Sequence, residues 1–275
     1  MTGSVDWNRV WMENMEGISW RRLHGDGNNF WDQRAKQLEN QRKVNRDVSV
    51  KTISKMGLSP KYTVIDIGAG TGALTIPIAR IAKSVTAIEP STKMLDCLEQ
   101  NAQSENLSNI RYVKKFWDDI TPFEEMESHD VLIASHSLLM KDMKAALQKM
   151  DLLAKKRVYL ITSANRNTGY YNELWKRLYE EEYKPSPGYV CLYNILYDMG
   201  ICANVEISEV EYRQPFSSRE EAVTLWIENL RATSPEAKEI VRKFISESIV
   251  VEDGHTILKN RTKWATIWWE TESAI

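Results

Sequence analysis

Val64-Ile65-Asp66-Ile67-Gly68-Ala69-Gly70-Thr71-Gly72-Ala73-Leu74 reads as a strand that runs into three alternate glycines and then into a helix. The apolar run suits a strand buried on both faces of a parallel sheet. Glycine allows positive φ and lets a ligand approach the backbone with no Cβ in the way. A strand–turn–helix unit puts those glycines at the carboxyl end of the strand, where open α/β sheets bind ligands. Asp66, two residues before the first glycine, adds an acid to the same edge.

Downstream, short apolar runs alternate with helical patterns. Strands are predicted at Thr63–Ile67, 85–89, Ile110–Val113, 131–134 and 157–161, with helices at 73–83, 91–105 and 141–154. That alternation predicts a parallel sheet built from right-handed crossovers. Upstream, Trp7, Trp11 and Trp20 precede the breaker Gly25-Asp26-Gly27. Residues 29–56 then read as one long polar helix with Trp31, Ala35, Leu38, Val44, Val48 and Ile53 as its apolar members. Gly57 and Ser59-Pro60 end it.

After residue 165 the pattern changes. Residues 168–200 are helical and hold seven of the eleven tyrosines, broken by Pro185-Ser186-Pro187-Gly188. Further helices are predicted at 218–230, opened by a capping box of Ser217 and Glu220, and at 235–248, with Pro235 in its first turn. Residues 204–212, 256–258 and 264–269 are strand-like.

Composition narrows the function. The net charge is −2 and the pI about 6.2, without the basic footprint of a nucleic-acid binder. No stretch of 18 apolar residues predicts a membrane span. The start of the chain has no basic segment followed by an apolar run, so a secretory signal is not expected. Cys97, Cys191 and Cys202 are too scattered for a disulfide framework or a zinc site, so no metal is expected and a reducing cytoplasm is.

Glu89 closes the second predicted strand, where a carboxylate can accept from both hydroxyls of a ribose. The turn from Asp66 to Gly72, followed by this acid, resembles the class I S-adenosylmethionine-dependent methyltransferases, in their small-molecule branch typified by ubiquinone- and menaquinone-biosynthesis enzymes. The resemblance covers residues 30–165 well and the rest in outline.

It implies an α/β fold: a seven-stranded, mostly parallel Rossmann-like sheet with helices on both faces, its last strand antiparallel, plus helical lid insertions. The implied layout is an N-terminal helical segment (1–58), a cofactor-binding core (59–167), lid insertions (168–202 and 213–250) and terminal strands (203–212 and 251–275). The cofactor would be S-adenosylmethionine. Asp66, Gly68, Ala69, Gly70, Thr71 and Gly72 would hold its methionine part, Glu89 and Pro90 its ribose, and Met94 its adenine. Phe116 stands where the family carries an Asp, so Trp117 and Asp118 are the candidates for the adenine amino group. Ser135 ends the fourth strand on the cofactor side. Trp31 and Arg34 fall where the family's N-terminal helix passes the cofactor, and a guanidinium there could pair with its carboxylate.

His136, just past the fourth strand, is the candidate base. Tyr189, Tyr193 and Tyr197 share one helix face. Tyr170, Tyr189, Tyr193 and Trp226 are the candidates for an aromatic wall over the methyl group. The expected partner is a small-molecule acceptor, attacked in line, with no nucleic acid and with a homodimer as an allowed assembly.

Three alternatives stand beside this reading. Gly68-x-Gly70-x-x-Ala73 with Glu89 satisfies the looser dinucleotide fingerprint of an NAD(P)-dependent oxidoreductase, although Gly72 and Asp66 fit the methyltransferase turn better. An RNA or protein methyltransferase is the second. The basic members of helix 29–56 would be its phosphate track, but Asp32, Glu39 and Asp47 are interspersed among them. The third is a noncatalytic ligand-binding protein of the same fold.

Overall fold

The computed structural model describes residues 5–25, 28–165, 169–252 and 254–271. Eight strands form one sheet: β1 (Thr63–Ile67), β2 (Ser84–Ile88), β3 (Ile110–Val113), β4 (His129–Ser135), β5 (Ala154–Ser163), β6 (Asn204–Phe216), β7 (Ile249–Glu252) and β8 (His255–Glu270). Their order is β3-β2-β1-β4-β5-β8-β6, with β7 paired to β8. Neighbours among β1–β5 are parallel, and β8 runs antiparallel to both β5 and β6. The sheet is therefore mostly parallel with a reversed strand near its C-terminal side, as expected. The strand beyond the expected seven is β7, which pairs antiparallel with β8.

Eleven helices accompany the sheet among the described residues: α1 (Trp7–Glu16), α2 (Ser19–His24), α3 (Asn28–Val44), α4 (Arg46–Ser54), α5 (Thr75–Ala79), α6 (Thr92–Ser104), α7 (Met143–Leu153), α8 (Tyr170–Tyr179), α9 (Tyr189–Asp198), α10 (Arg219–Asn229) and α11 (Pro235–Ser248). Strand periodicity sorts the core, because alternate side chains point to opposite faces. Leu132 and Ala134 of β4 join Met143, Leu147, Leu192 and Ile195 of α7 and α9 on one face. Val131 and Ile133 join Ile53, Met56 and Ile78 on the other. Trp11, Met15 and Ile18 complete the first face and are fully buried.

Four local expectations are corrected. The helix predicted over 29–56 is two helices. Asn45, between α3 and α4, turns its amide onto β6: it donates to the carbonyls of Gln41 and Arg213, both at 2.8 Å, and accepts from Arg213 N–H at 2.9 Å. The capping box is one residue late: Ser218 caps α10 by accepting from Glu221 N–H at 3.1 Å, and the Glu221 carboxylate returns to Ser217 N–H. The strand expected to end at residue 212 runs to Phe216, and the two strand-like pieces at the C-terminal end are one strand, because β8 is paired on both sides.

The fourth concerns the segment 168–202, expected as a lid. Its two helices separate. α9 packs on α1 and α7 as a core helix, burying Leu192, Ile195 and Leu196. α8 instead packs with α10 and α11 around Trp175, Trp226, Val241 and Ile245. Residue 168, at the start of the predicted segment, lies outside the described residues.

Candidate active site

The glycine turn has the geometry its sequence demands. Gly68, Gly70 and Gly72 have φ of 72°, 55° and 93°. Gly68 and Ala69 N–H both donate to Ile88 O, at 2.8 and 3.0 Å, tying the turn to the end of β2. A Cβ on Gly68 would lie 2.3 Å from the Ser137 side chain, and one on Gly72 would lie 2.4 Å from Leu98. Those two glycines are filled from behind by Ser137, just past β4, and by Leu98 of α6. Gly70 differs: its nearest neighbour in that direction is Met94 Sδ at 3.7 Å, so its backbone stays open.

Glu89 stands beside it. The carboxylate is buried and accepts from Gly70 N–H at 3.0 Å and from Ser91 N–H at 2.9 Å, one bond on each oxygen. Burial holds its pKa above the ordinary range, against the pull of these two donors. A carboxylate has about two acceptor positions per oxygen, so each oxygen keeps one for a ligand. Ser91 caps α6, and its hydroxyl donates to Asp32 of α3, which also accepts from Lys93 N–H at 3.2 Å. The N-terminal helices are thereby fastened over the second strand's edge.

Asp66 is buried under the turn and accepts from the Thr75 hydroxyl at 2.5 Å. Burial pushes its pKa up to about 6. A carboxyl with a raised folded pKa stabilises the fold most fully below its unfolded pKa, and that contribution is lost as pH rises through the folded value. Thermal melts should therefore show the advantage of wild type over Asp66→Asn shrinking between about pH 4 and pH 6 and levelling above that. A difference that grows with pH would contradict this reading of Asp66.

Above these groups lies a crevice of about 760 Å3. Of the residues singled out in the sequence, it brings together Asp66, Gly68, Ala69, Gly70, Thr71, Glu89, Pro90, Met94, Phe116, Trp117, Asp118, Ser135, His136 and Trp31. Trp117 is anchored, its indole N–H donating to Ala146 O at 3.2 Å, and Lys149 donates to the carbonyls of Trp117 and Asp118 at 2.8 and 3.1 Å. Phe116 is left half open at the crevice rim.

Six expected site residues lie elsewhere. Gly72 packs against Leu98 rather than facing the crevice. Arg34 turns toward α10, donating to Asn229 Oδ1 at 3.2 Å with its guanidinium over Phe30. Tyr170 donates to Lys259 O at 2.7 Å and sits edge-on to Trp226, inside the core of α8, α10 and α11. Trp226 is buried in that same core. Tyr189 packs beside the α1–α7–α9 core, and Tyr193 is exposed on α9. Neither α8 nor α9 lines the crevice.

The crevice is walled instead by residues that sequence reasoning passed over: Trp20 and Arg21 of α2, Leu38 and Arg42 of α3, Asn45, Tyr212 of β6, and Asn260, Thr262 and Trp264 of β8. Arg21 reaches the crevice while donating to Met15 O at 3.2 Å and Leu139 O at 3.1 Å. A signal existed for the β8 group, since residues 260, 262 and 264 share one face of a strand. It carried no weight while that strand's register was unknown.

His136 takes φ 53°, a left-handed conformation uncommon outside glycine. Its N–H donates to Ile161 O at 2.8 Å, and its ring meets Trp264 edge-on, centroids 4.5 Å apart. The imidazole is open to the crevice yet ringed by protein atoms, and that desolvation lowers its pKa to about 4. It is neutral at pH 7 and a weak base.

Residues 58–214, more than half of the chain, match the family model described as Methyltransferase domain. The chain belongs to this methyltransferase family. An uncharacterized protein of Haemophilus influenzae is 29% identical over 244 residues, spanning 88% of this chain and 89% of that protein. The crystal structure of a putative methyltransferase from Bacillus halodurans shares the fold, with a TM-score of 0.56 and 15% identity over 81% of this chain and 97% of that one. Ribosomal RNA small subunit methyltransferase A of Desulforapulum autotrophicum matches over only 61 residues, 22% of each chain, at 34% identity.

The methyltransferase takes S-adenosylmethionine as its cofactor, and the oxidoreductase alternative falls with that assignment. The crevice fits such a molecule chemically: open backbone at Gly70, a buried acid with unused acceptor positions, and aromatic rings on both sides. Among the described residues no cluster of three or more His, Cys, Asp or Glu side chains is placed to hold a metal ion. No helix among them is long and apolar enough to cross a membrane.

Proposed function

We propose that the methyltransferase carries a methyl group to a nitrogen, oxygen or sulfur nucleophile of a small molecule held at the His136 end of the crevice, by in-line displacement. The observation that carries this reading is the size and aromatic lining of the crevice. Beyond the glycine turn the crevice runs into Leu38, Tyr212, Asn260 and Trp264, and its 760 Å3 lies within the ~300–1,000 Å3 of small-ligand sites. The overall charge of −2 supports it, as does the short span of the ribosomal RNA match, which is too brief to bring an RNA-binding surface with it. The three unpaired cysteines suit a reducing cytoplasm, and a homodimer stays part of the same reading.

The cofactor supplies an electrophilic methyl group when bound. The chain binds and orients. Glu89 accepts from the ribose hydroxyls and Gly70 offers its backbone close by. Met94, Phe116, Trp117 and Asp118 border the adenine. Arg21, rather than Arg34, is the cation assigned to the carboxylate. Trp20 and Trp31 exclude water. Placement of the nucleophile can supply about 7–11 kcal/mol of the barrier without a strong base. His136, neutral at pH 7, is assigned to accept a hydrogen bond from the nucleophile and fix its direction.

Incubation with radiolabelled S-adenosylmethionine and a fractionated cell extract tests the acceptor class. Label should enter the low-molecular-mass fraction. Label entering RNA or protein instead would overturn the small-molecule reading. With an acceptor in hand, His136→Ala should lower kcat about 10- to 100-fold, or about 1.4–2.7 kcal/mol, and leave cofactor affinity as it is. Unchanged turnover would remove His136 from the reaction.

A further inference from the structure

Under α4 the sheet face holds a second cavity, of about 260 Å3. It adjoins the crevice, since Val48, Thr52 and Trp264 line both. Strand periodicity explains the continuity, because alternate residues of β8 face the same side. Asn260, Thr262 and Trp264 line the crevice, and Trp264, Thr266 and Trp268 line the groove. One strand thus carries a single track out of the active site, with Trp264 at the joint beside His136. Four residues of strand from Trp264 to Trp268 extend it by about 13 Å.

The register completes the floor. Trp268 lies opposite Tyr159 of β5, and Trp264 opposite Ser208 of β6. α4 is the roof, and the ion pair of Lys55 with Glu206 crosses from roof to floor. The side-chain charges on this face balance, Asp47 and Glu206 against Lys51 and Lys55, while Glu209 and Glu211 belong to the opposite face and pair there with Lys263 and Arg261. Neither an anion nor a cation is favoured there, whereas half-buried indole faces favour a flat apolar partner.

We propose that this groove receives the distal part of an elongated methyl acceptor, an uncharged aromatic portion lying on Trp264 and Trp268 beneath α4 while the nucleophile sits at His136. This rests on the small-molecule reading above and adds the acceptor's length and character.

The test uses the full chain saturated with S-adenosylhomocysteine and labelled with 5-fluorotryptophan, the resonances assigned with Trp264→Phe and Trp268→Phe. Phenol and 4-benzyloxyphenol are the probes. Phenol should move the Trp264 resonance alone; 4-benzyloxyphenol should move both and bind at least about 10-fold more tightly, from the extra apolar area it buries. Trp268→Ala should erase that gain while the affinities for phenol and S-adenosylhomocysteine hold. Equal affinity for the two probes, a Trp268 resonance that stays still, binding of neither probe, or a gain that survives Trp268→Ala would each overturn the groove assignment. In those cases S-adenosylhomocysteine still binds and the methyltransferase reading stands. If wild type failed to bind S-adenosylhomocysteine, both would fall.

Discussion

Gly68→Ala is expected to destabilise the protein by about 2–5 kcal/mol and to remove measurable cofactor binding. Two costs add. A residue with a Cβ pays about 1–2 kcal/mol for the left-handed conformation that Gly68 adopts at φ 72°. Its Cβ would also arrive 2.3 Å from the Ser137 side chain, and overpacking of this kind costs about 1–3 kcal/mol. Relief requires Ser137 to move, and the Ser137 hydroxyl is bonded to Ile67 O at 2.5 Å, so the end of β1 moves with it. Denaturant melts measure the first effect and calorimetry with S-adenosylhomocysteine the second. A variant within 1 kcal/mol of wild type would show that the turn yields more easily than its packing implies.

Glu89→Ala should weaken cofactor binding about 30- to 1,000-fold, or about 2–4 kcal/mol, through the loss of charge-assisted hydrogen bonds. The same change leaves Gly70 N–H and Ser91 N–H without their acceptor, so the turn loses a brace as well. Glu89→Gln separates the two effects. Its amide oxygen can keep one backbone donor, but its NH2 cannot accept from a ribose hydroxyl. Calorimetry should show Gln nearer to Ala than to wild type in affinity, with a melting temperature nearer to wild type. Undiminished affinity in both variants would place the ribose elsewhere.

The cofactor half was legible because its chemistry is local. Asp66 through Gly72 and Glu89 are fixed by one turn and two adjacent strands, and the distance along the chain is short. The acceptor half was not, because it is assembled from elements far apart in sequence. Tyr212 meets Gln41 of α3, and Trp264 meets Tyr212 through the pairing of β6 with β8, whose register spans thirteen residue pairs that no local pattern reveals. The tyrosine cluster misled for a related reason. Aromatic density marks burial as readily as it marks a pocket, and Tyr170 and Trp226 serve the core of α8, α10 and α11. Arg34 and Arg21 differ likewise: the family resemblance put Arg34 near the cofactor, but the orientation of α3 against α10 turned it away.

The sheet ends at β6, thirteen residues of strand with one side unpaired by β8. Such a border invites a strand from another molecule and, with it, aggregation. β6 answers with Glu206, Glu209, Glu211 and Arg213 along its length and with Pro215, which has no N–H to offer. Lys263 and Arg261 of β8 pair with Glu209 and Glu211, which keeps these charges ordered along β6. The consequence is resistance to strand addition. If two copies associate, the β6 border is disfavoured as their seam.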